Sequence, residues 1–161
     1  MGIELYDDRR ITAFGLFVEA YTGIINRLTA QLAEHGLSLV EFEVLLRLAR
    51  SDQHQLRMSD LAAQTSLSTS GVTRVVDRME RDSLLCRRAC PHDRRSSYAV
   101  VTTSGMARLN ETLPGHLDLI DKWFTSQLPA PQLDQLLTSL RALRDAVAPG
   151  ATSGVTGTAG D

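Results

Sequence analysis

Cysteine is almost missing from this 161-residue chain: Cys86 and Cys90 are the only two, too few for a disulfide framework. Lysine is scarcer still. Lys122 stands alone among seventeen basic residues, and the other sixteen are arginines. No apolar run approaches the roughly 20 residues needed to cross a bilayer, so no membrane association by a spanning helix is expected. The first eight residues are acidic and lack the basic-then-apolar layout of a signal peptide, which makes the cytoplasm the expected location. Also absent are a nucleophile elbow, a glycine-rich phosphate loop and the H-x-x-x-H or C-x-x-C spacings that hold metals. The protein is therefore expected not to be an enzyme, and to need neither cofactor nor metal. His35, Glu41 and His116 could meet at a metal only through tertiary structure.

Charge of one sign is lacking too, since the net value is only −2, but its placement is uneven. Residues 57–95 hold eight arginines against five acids, whereas the remainder holds nine bases against fourteen acids. A basic middle segment in an acidic chain is the electrostatic footprint of a nucleic-acid-binding module. Arginine adds a flat fork of donors suited to phosphates and guanine edges, although a source genome rich in arginine codons would give the same bias.

What is present is mostly helical periodicity. Ile11, Phe14, Val18, Tyr21, Ile25, Leu28 and Leu32 fall at alternating steps of three and four, which predicts one long helix over about 8–34 with a heptad stripe. Phe17 and Ile24 add a second stripe, and His35-Gly36 ends the helix. Ser38-Leu39-Val40-Glu41 reads as a capping box opening a second helix, with Phe42, Leu45, Leu46 and Ala49 inward. Residues 51–55 read as a polar loop. Two short helices follow, the first over 60–65 capped by Ser59, the second over 70–82, joined through Ser66-Leu67-Ser68. Val72, Val75, Val76 and Met79 form the buried stripe of the second, leaving Thr69, Ser70, Thr73, Arg74, Asp77 and Arg78 facing solvent.

The pattern then turns β-compatible at 86–89 and 97–101, around a charged tip at 91–96. Thr102 or Thr103 caps a further helix, which Pro114-Gly115 is expected to kink or break. Leu133, Leu136, Leu140, Leu143 and Val147 mark a last helix, and residues 149–161 read as a disordered tail. The expected fold class is mainly α with a small β wing: a winged helix-turn-helix in the order α-α-(β)-α-α-β-β-α-α. One domain spans 1–148, with a DNA-binding part at 38–103 and helical regions at about 8–35 and 103–148.

A helix-turn-helix places its second helix in the major groove, and an arginine at a wing tip can enter the minor groove. The candidate DNA-binding residues are Thr69, Ser70, Thr73, Arg74 and Arg78 on the recognition helix, with Arg94 and Arg95 on the wing. Asp93 cannot favour phosphate, so it is read as bracing the wing. The same face has two other readings: a merely solvated amphipathic helix, and a winged-helix protein-interaction module that binds acidic protein without sequence-specific DNA binding.

Three stretches together resemble the successive signatures of the MarR family of regulators. They are Leu37-Ser38-Leu39-Val40-Glu41-Phe42-Glu43-Val44-Leu45, then Val72-Thr73-Arg74-Val75-Val76-Asp77-Arg78-Met79, then Asp93-Arg94-Arg95 through Val101-Thr102-Thr103-Ser104-Gly105. The likeness covers roughly residues 10–147. Val101 replaces the usual leucine of L-T-x-x-G, Ser83 stands where the family usually has glycine, and Cys86 and Cys90 occupy wing-strand positions that often carry charge.

The resemblance implies a homodimer interlocked through its first and last helices, a double-stranded palindromic operator, and usually repression relieved by a ligand. It further implies a small aromatic or phenolic effector, for which Phe14, Phe17, Tyr21, Phe42 and Arg47 are the candidate lining. More often, aromatics at helical spacing are simply core. Redox sensing through Cys86 and Cys90 meets a geometric objection, because residues four apart on a strand point the same way about 13 Å apart.

Overall fold

A computed structural model describes residues 5–65, 67–91 and 93–151, with residues 93–95 described as backbone only. The long first helix, α1 (Arg9–Glu34), begins after Asp8, whose carboxylate accepts from the Arg10 amide at 2.8 Å. Its stripe runs the whole length, but its burial does not. Leu28, Gln31 and Leu32 are buried, while Ile11, Phe14, Val18 and Tyr21 are exposed. Gly36 adopts φ +67°, and the amides of Gly36 and Leu37 bond back to the carbonyls of Ala33 and Leu32.

The capping box forms as expected at α2 (Leu39–Arg50): Ser38 Oγ accepts from the Glu41 amide at 3.3 Å, and Glu41 Oε2 accepts from the Ser38 amide at 2.8 Å. Phe42, Val44, Leu45 and Leu48 then point into the core. Part of the expected loop is ordered as a 3-10 turn, Asp52–His54, followed by strand β1 (Gln55–Arg57). That strand runs directly into α3 (Met58–Thr65). Ser59 therefore lies inside the first turn and does not cap it.

Ser68 caps α4 (Thr69–Arg81), its Oγ accepting from the Gly71 amide at 3.1 Å. Ser66 lies outside the described residues. Ser83 takes φ +60° at the exit of α4, where the amides of Ser83 and Leu84 bond to the carbonyls of Glu80 and Met79. This is the same closing pattern as at Gly36, here with a β-carbon in the left-handed region.

Strands β2 (Leu85–Cys90) and β3 (Asp93–Val101) are longer than their apolar runs suggested and make an antiparallel sheet in the order β1-β3-β2. Leu85 pairs with Val101 and Arg88 with Tyr98, and the register slips between Ala89 and Cys90. That slip puts the two thiols in different surroundings, Cys86 exposed and Cys90 buried, rather than on one side of a regular strand.

Thr102 caps α5 (Thr103–Trp123) by accepting from the Gly105 amide at 3.0 Å. Pro114 sits inside this helix, which continues through it: of the kink or break expected there, the break does not occur. The reason is packing: Leu109, Thr112 and His116 are buried on both sides of an exposed Pro114 and hold the axis against α1 and α2. Gln31 links the two helices there. Its Nε2 donates to the Thr112 carbonyl at 3.1 Å, its Oε1 lies 3.1 Å from His116 Nδ1, and the His116 ring packs 4.3 Å from that of Phe42. A 3-10 turn, Thr125–Gln127, leads to α6 (Ala130–Val147), which has no buried residue.

The core joins Leu32, Phe42, Val44, Leu45 and Leu48 to Leu61, Val72, Val76, Met79, Leu84, Leu85, Ala99 and Leu109. Gly105 is where α5 comes closest to the sheet's root. A β-carbon built there would stand 2.1 Å from the Leu84 carbonyl oxygen, so only glycine fits. Among the described residues no helix is long and apolar enough to cross a membrane. Of the tail expected at 149–161, only 149–151 are described.

Candidate nucleic-acid interface

Helix α4 has one apolar side and one polar side. Val72, Val76 and Met79 are fully buried, and Thr69, Ser70, Thr73, Arg74, Asp77 and Arg78 are exposed. At about 100° per residue, Ser70, Arg74 and Arg81 share the row opposite the buried stripe. Arg81 is not among the residues expected from the sequence, whose outward face ends at Arg78. Its spacing of seven from Arg74 was the available signal.

The short polar side chains at the helix start are partly engaged locally. Ser70 Oγ lies 3.2 Å from Ser68 Oγ, and Thr73 Oγ1 donates to the Thr69 carbonyl at 2.8 Å. Thr69, Ser70 and Thr73 themselves are exposed. Arg74, Arg81 and Arg88 make no ion pair among the described residues. Arg74 thus presents an uncommitted guanidinium on the outward row.

Arg78 is placed differently. It lies about 40° to one side of Arg74, and its Nε donates to Glu41 Oε1 on α2. Burial pushes the Glu41 carboxyl up, but the Ser38 amide, Arg78 and the Ser38 hydroxyl pull harder in the other direction. The net result lies below the usual carboxylate range. Glu41 is therefore a buried, ionised anchor.

The other flank of α4 faces the wing. Arg87 of β2 bonds Glu80 Oε2 at 2.8 Å and Asp77 Oδ1 at 2.7 Å, and its amide donates to Glu80 Oε1 at 3.0 Å. This brace joins wing to recognition helix and is not expected from the sequence, which places Arg87 only within the β-compatible run 86–89. Asp93 was the expected brace. Asp93, Arg94 and Arg95 fall in β3, but their side chains lie outside the described residues, as does His92.

The five residues expected to line an effector crevice are not gathered in one place. Phe14, Phe17 and Tyr21 contact one another along exposed α1, with ring centroids 6.3 and 6.5 Å apart. Phe42 is buried against His116, and Arg47 lies 3.2 Å from Glu43 within α2. An open groove of about 500 Å³ does run along α1, lined by Arg10, Ile11, Phe14, Gly15, Val18 and Glu19.

Two short helices joined by a tight turn, the second presenting arginine to solvent and gripping an antiparallel hairpin, define a winged helix-turn-helix protein. Comparison with known proteins extends that class to a family. A model described as MarR family matches residues 35–96. The HTH-type transcriptional regulator MhqR of Bacillus subtilis is 33% identical over 116 residues, 71% of this chain and 78% of its own length. Two solved MarR family regulators of Streptomyces coelicolor share the fold, each with a TM-score of 0.83. AbsC is 26% identical and the match covers 91% of this chain and 97% of AbsC; Sco3205, solved in complex with DNA, is 27% identical over 92% of both chains. The chain belongs to the MarR family of transcriptional regulators.

Proposed function

We propose that this protein is a cytoplasmic, sequence-specific regulator that binds a palindromic operator as a homodimer, and that it represses until a small aromatic or phenolic ligand releases it. The observation that carries the DNA-binding part is Arg74: outward, without an ion pair among the described residues, on a helix braced to a wing. The DNA-bound relative Sco3205 supports the same use of this fold. Thr69, Ser70, Thr73 and Arg74 would meet the major groove, flanked by Arg78, while Arg94 and Arg95 would meet the minor groove and Asp93 would brace them.

The homodimer reading rests on exposed apolar faces. Ile11, Phe14, Leu16, Phe17, Val18 and Tyr21 on α1, with Leu117 and Trp123 on α5 and Leu143 and Val147 on α6, are too many for isolated surface hydrophobes. A second chain laid along them would also close the α1 groove around Phe14. That would place Phe14, Phe17 and Tyr21 at a protein–protein seam, where an aromatic ligand could act on the spacing of the two recognition helices.

Selection from random duplexes at near-physiological salt tests the reading, with Arg74→Ala and Arg95→Ala in parallel. One enriched palindrome, lost with Arg74→Ala and weakened with Arg95→Ala, is the expected result. No enrichment, and no effect of either substitution, would replace DNA with an acidic protein as the partner of this face.

A further inference from the structure

We propose that Arg78 is a positioning residue and not a DNA contact, and that Glu41 on α2 and Arg87 on β2 clamp the recognition helix from its two flanks. The proposal rests on the regulator reading above and concerns how the same face is aimed. Around α4, the row of Ser70, Arg74 and Arg81 lies between two charged edges. On one edge Arg78 reaches Glu41; on the other Asp77 and Glu80 hold Arg87.

The two edges differ in how firmly they are set. Glu41 is buried and already accepts from the amide and the hydroxyl of Ser38, at 2.8 and 2.7 Å. Swinging Arg78 out to a phosphate would strand that carboxylate in the interior without its cation, which is strongly unfavourable. Arg87 is held by four contacts, three from its guanidinium (to Glu80, Asp77 and the Thr73 carbonyl) and one from its own amide, so strand and helix move together. A helix fixed on both flanks cannot roll about its axis. A roll of about 15° would carry the end of an extended arginine by about 2 Å, enough to lose a hydrogen bond to a base edge while phosphates stay within reach. The clamps therefore govern sequence selectivity more than general affinity for DNA.

The test measures the affinity of the full chain for the selected operator and for random duplex across a salt series, with a thermal melt of each variant. Glu41→Gln keeps the helix cap, since glutamine serves at that position. Glu41→Gln and Arg78→Ala are each expected to lower operator affinity about tenfold while random-duplex affinity and salt slope stay as in the parent. The double variant should be no worse than the weaker single one, because both remove one interaction. Arg87→Ala, from the opposite flank, should give the same loss of selectivity and keeps the test open if Glu41→Gln folds poorly.

A fall in random-duplex affinity with a salt slope shallower by about 0.9 per protomer would make Arg78 a phosphate contact and overturn the proposal. So would variants that melt earlier yet, when folded, discriminate as the parent does. If the parent itself selects no sequence, the regulator reading fails and the clamps fall with it. A parent that selects an operator beside an equally selective Arg78→Ala sinks the clamps alone.

Discussion

The winged lobe and the outer ends of the terminal helices use the same kind of apolar periodicity to opposite ends. In the lobe, Val72, Val76 and Met79 of the α4 stripe are fully buried and Val75 is half-buried, and Leu45, Leu48 and Leu61 around them are fully buried. In the first half of α1 the stripe Ile11, Phe14, Val18, Tyr21 stands at least 40% exposed, and on α6 Leu133, Leu136 and Leu140 are only half-buried while Leu143 and Val147 are exposed. The break falls within one helix, since Leu28 and Leu32 of α1 belong to the buried part. Periodicity establishes that a face is apolar; it does not establish what covers it. The ten exposed large side chains on α1, α5 and α6 amount to on the order of 1,000 Å² of surface, a size typical of one partner's share of a specific interface.

If the lobe is self-sufficient and the outer helices are not, each should fail in its own way. The largest effect is expected at Gly105. In Gly105→Val the side chain would collide with the Leu84 carbonyl and with Val101 Cγ2, which a β-carbon would approach to 2.8 Å. A cost of about 4 kcal/mol or more, or loss of the cooperative transition, should appear in a circular-dichroism melt. A melt like the parent's would mean that α5 is not seated on the sheet root.

Next comes the uncovered face. Phe14→Asp combined with Tyr21→Asp should leave the lobe folded, turn the protein into a monomer by sedimentation, and weaken operator binding by about 100-fold through loss of the second half-site. A variant that stays dimeric would remove α1 from the interface.

A smaller effect separates the polar link inside the lobe's edge from the apolar seam. Burial holds the His116 imidazole below its usual pKa of 6.5. The unfolded chain therefore binds a proton at a pH where the folded chain refuses it. Stability from this residue is complete above about pH 6.5 and declines as pH falls from there toward the lowered folded value. His116→Gln should flatten that part of the pH–stability curve; an unchanged curve would place the titration elsewhere. Smallest of all, Ser83→Gly relieves the left-handed strain that Gly36 avoids at the matching exit, and is expected to raise stability by about 0.5 kcal/mol. A loss on substitution would show that the serine hydroxyl matters more than its backbone.

Much of the lobe was legible because its signals are local. Ser38 with Glu41, Ser68 before α4 and Thr102 before α5 each satisfy an amide three residues away, and that spacing is written in the chain. The helix stripes and the turn at Gly36 are local too. What could not be read joins residues far apart in sequence. Glu41 was visible as a cap, but its second partner is 37 residues away, and nothing in the run Cys86-Arg87-Arg88 distinguishes the arginine that turns back to α4 from the one that stays in solvent. Pro114 misled for the complementary reason: its local preference is to break a helix, and the buried Leu109, Thr112 and His116 outweigh it. The effector candidates were scattered because aromatic spacing on α1 and α2 carries no information about which face of each helix meets the other.

The contact at Gly105 also has a mechanical side. Because the first turn of α5 is pressed against the Leu84 backbone, and Thr102 Oγ1 reaches the carbonyls of Ser83 and Leu84 at 2.7 and 3.0 Å, the helix and the wing's root share one pivot. From that pivot α5 extends 21 residues, an arm of about 30 Å, to Trp123. A tilt of about 5° at the pivot sweeps the far end through nearly 3 Å, and the same leverage run backwards turns a displacement at Trp123 into a small rotation of the wing. The indole, held 4.3 Å from the Arg27 guanidinium on α1, is a built-in fluorescent reporter at the end of that arm.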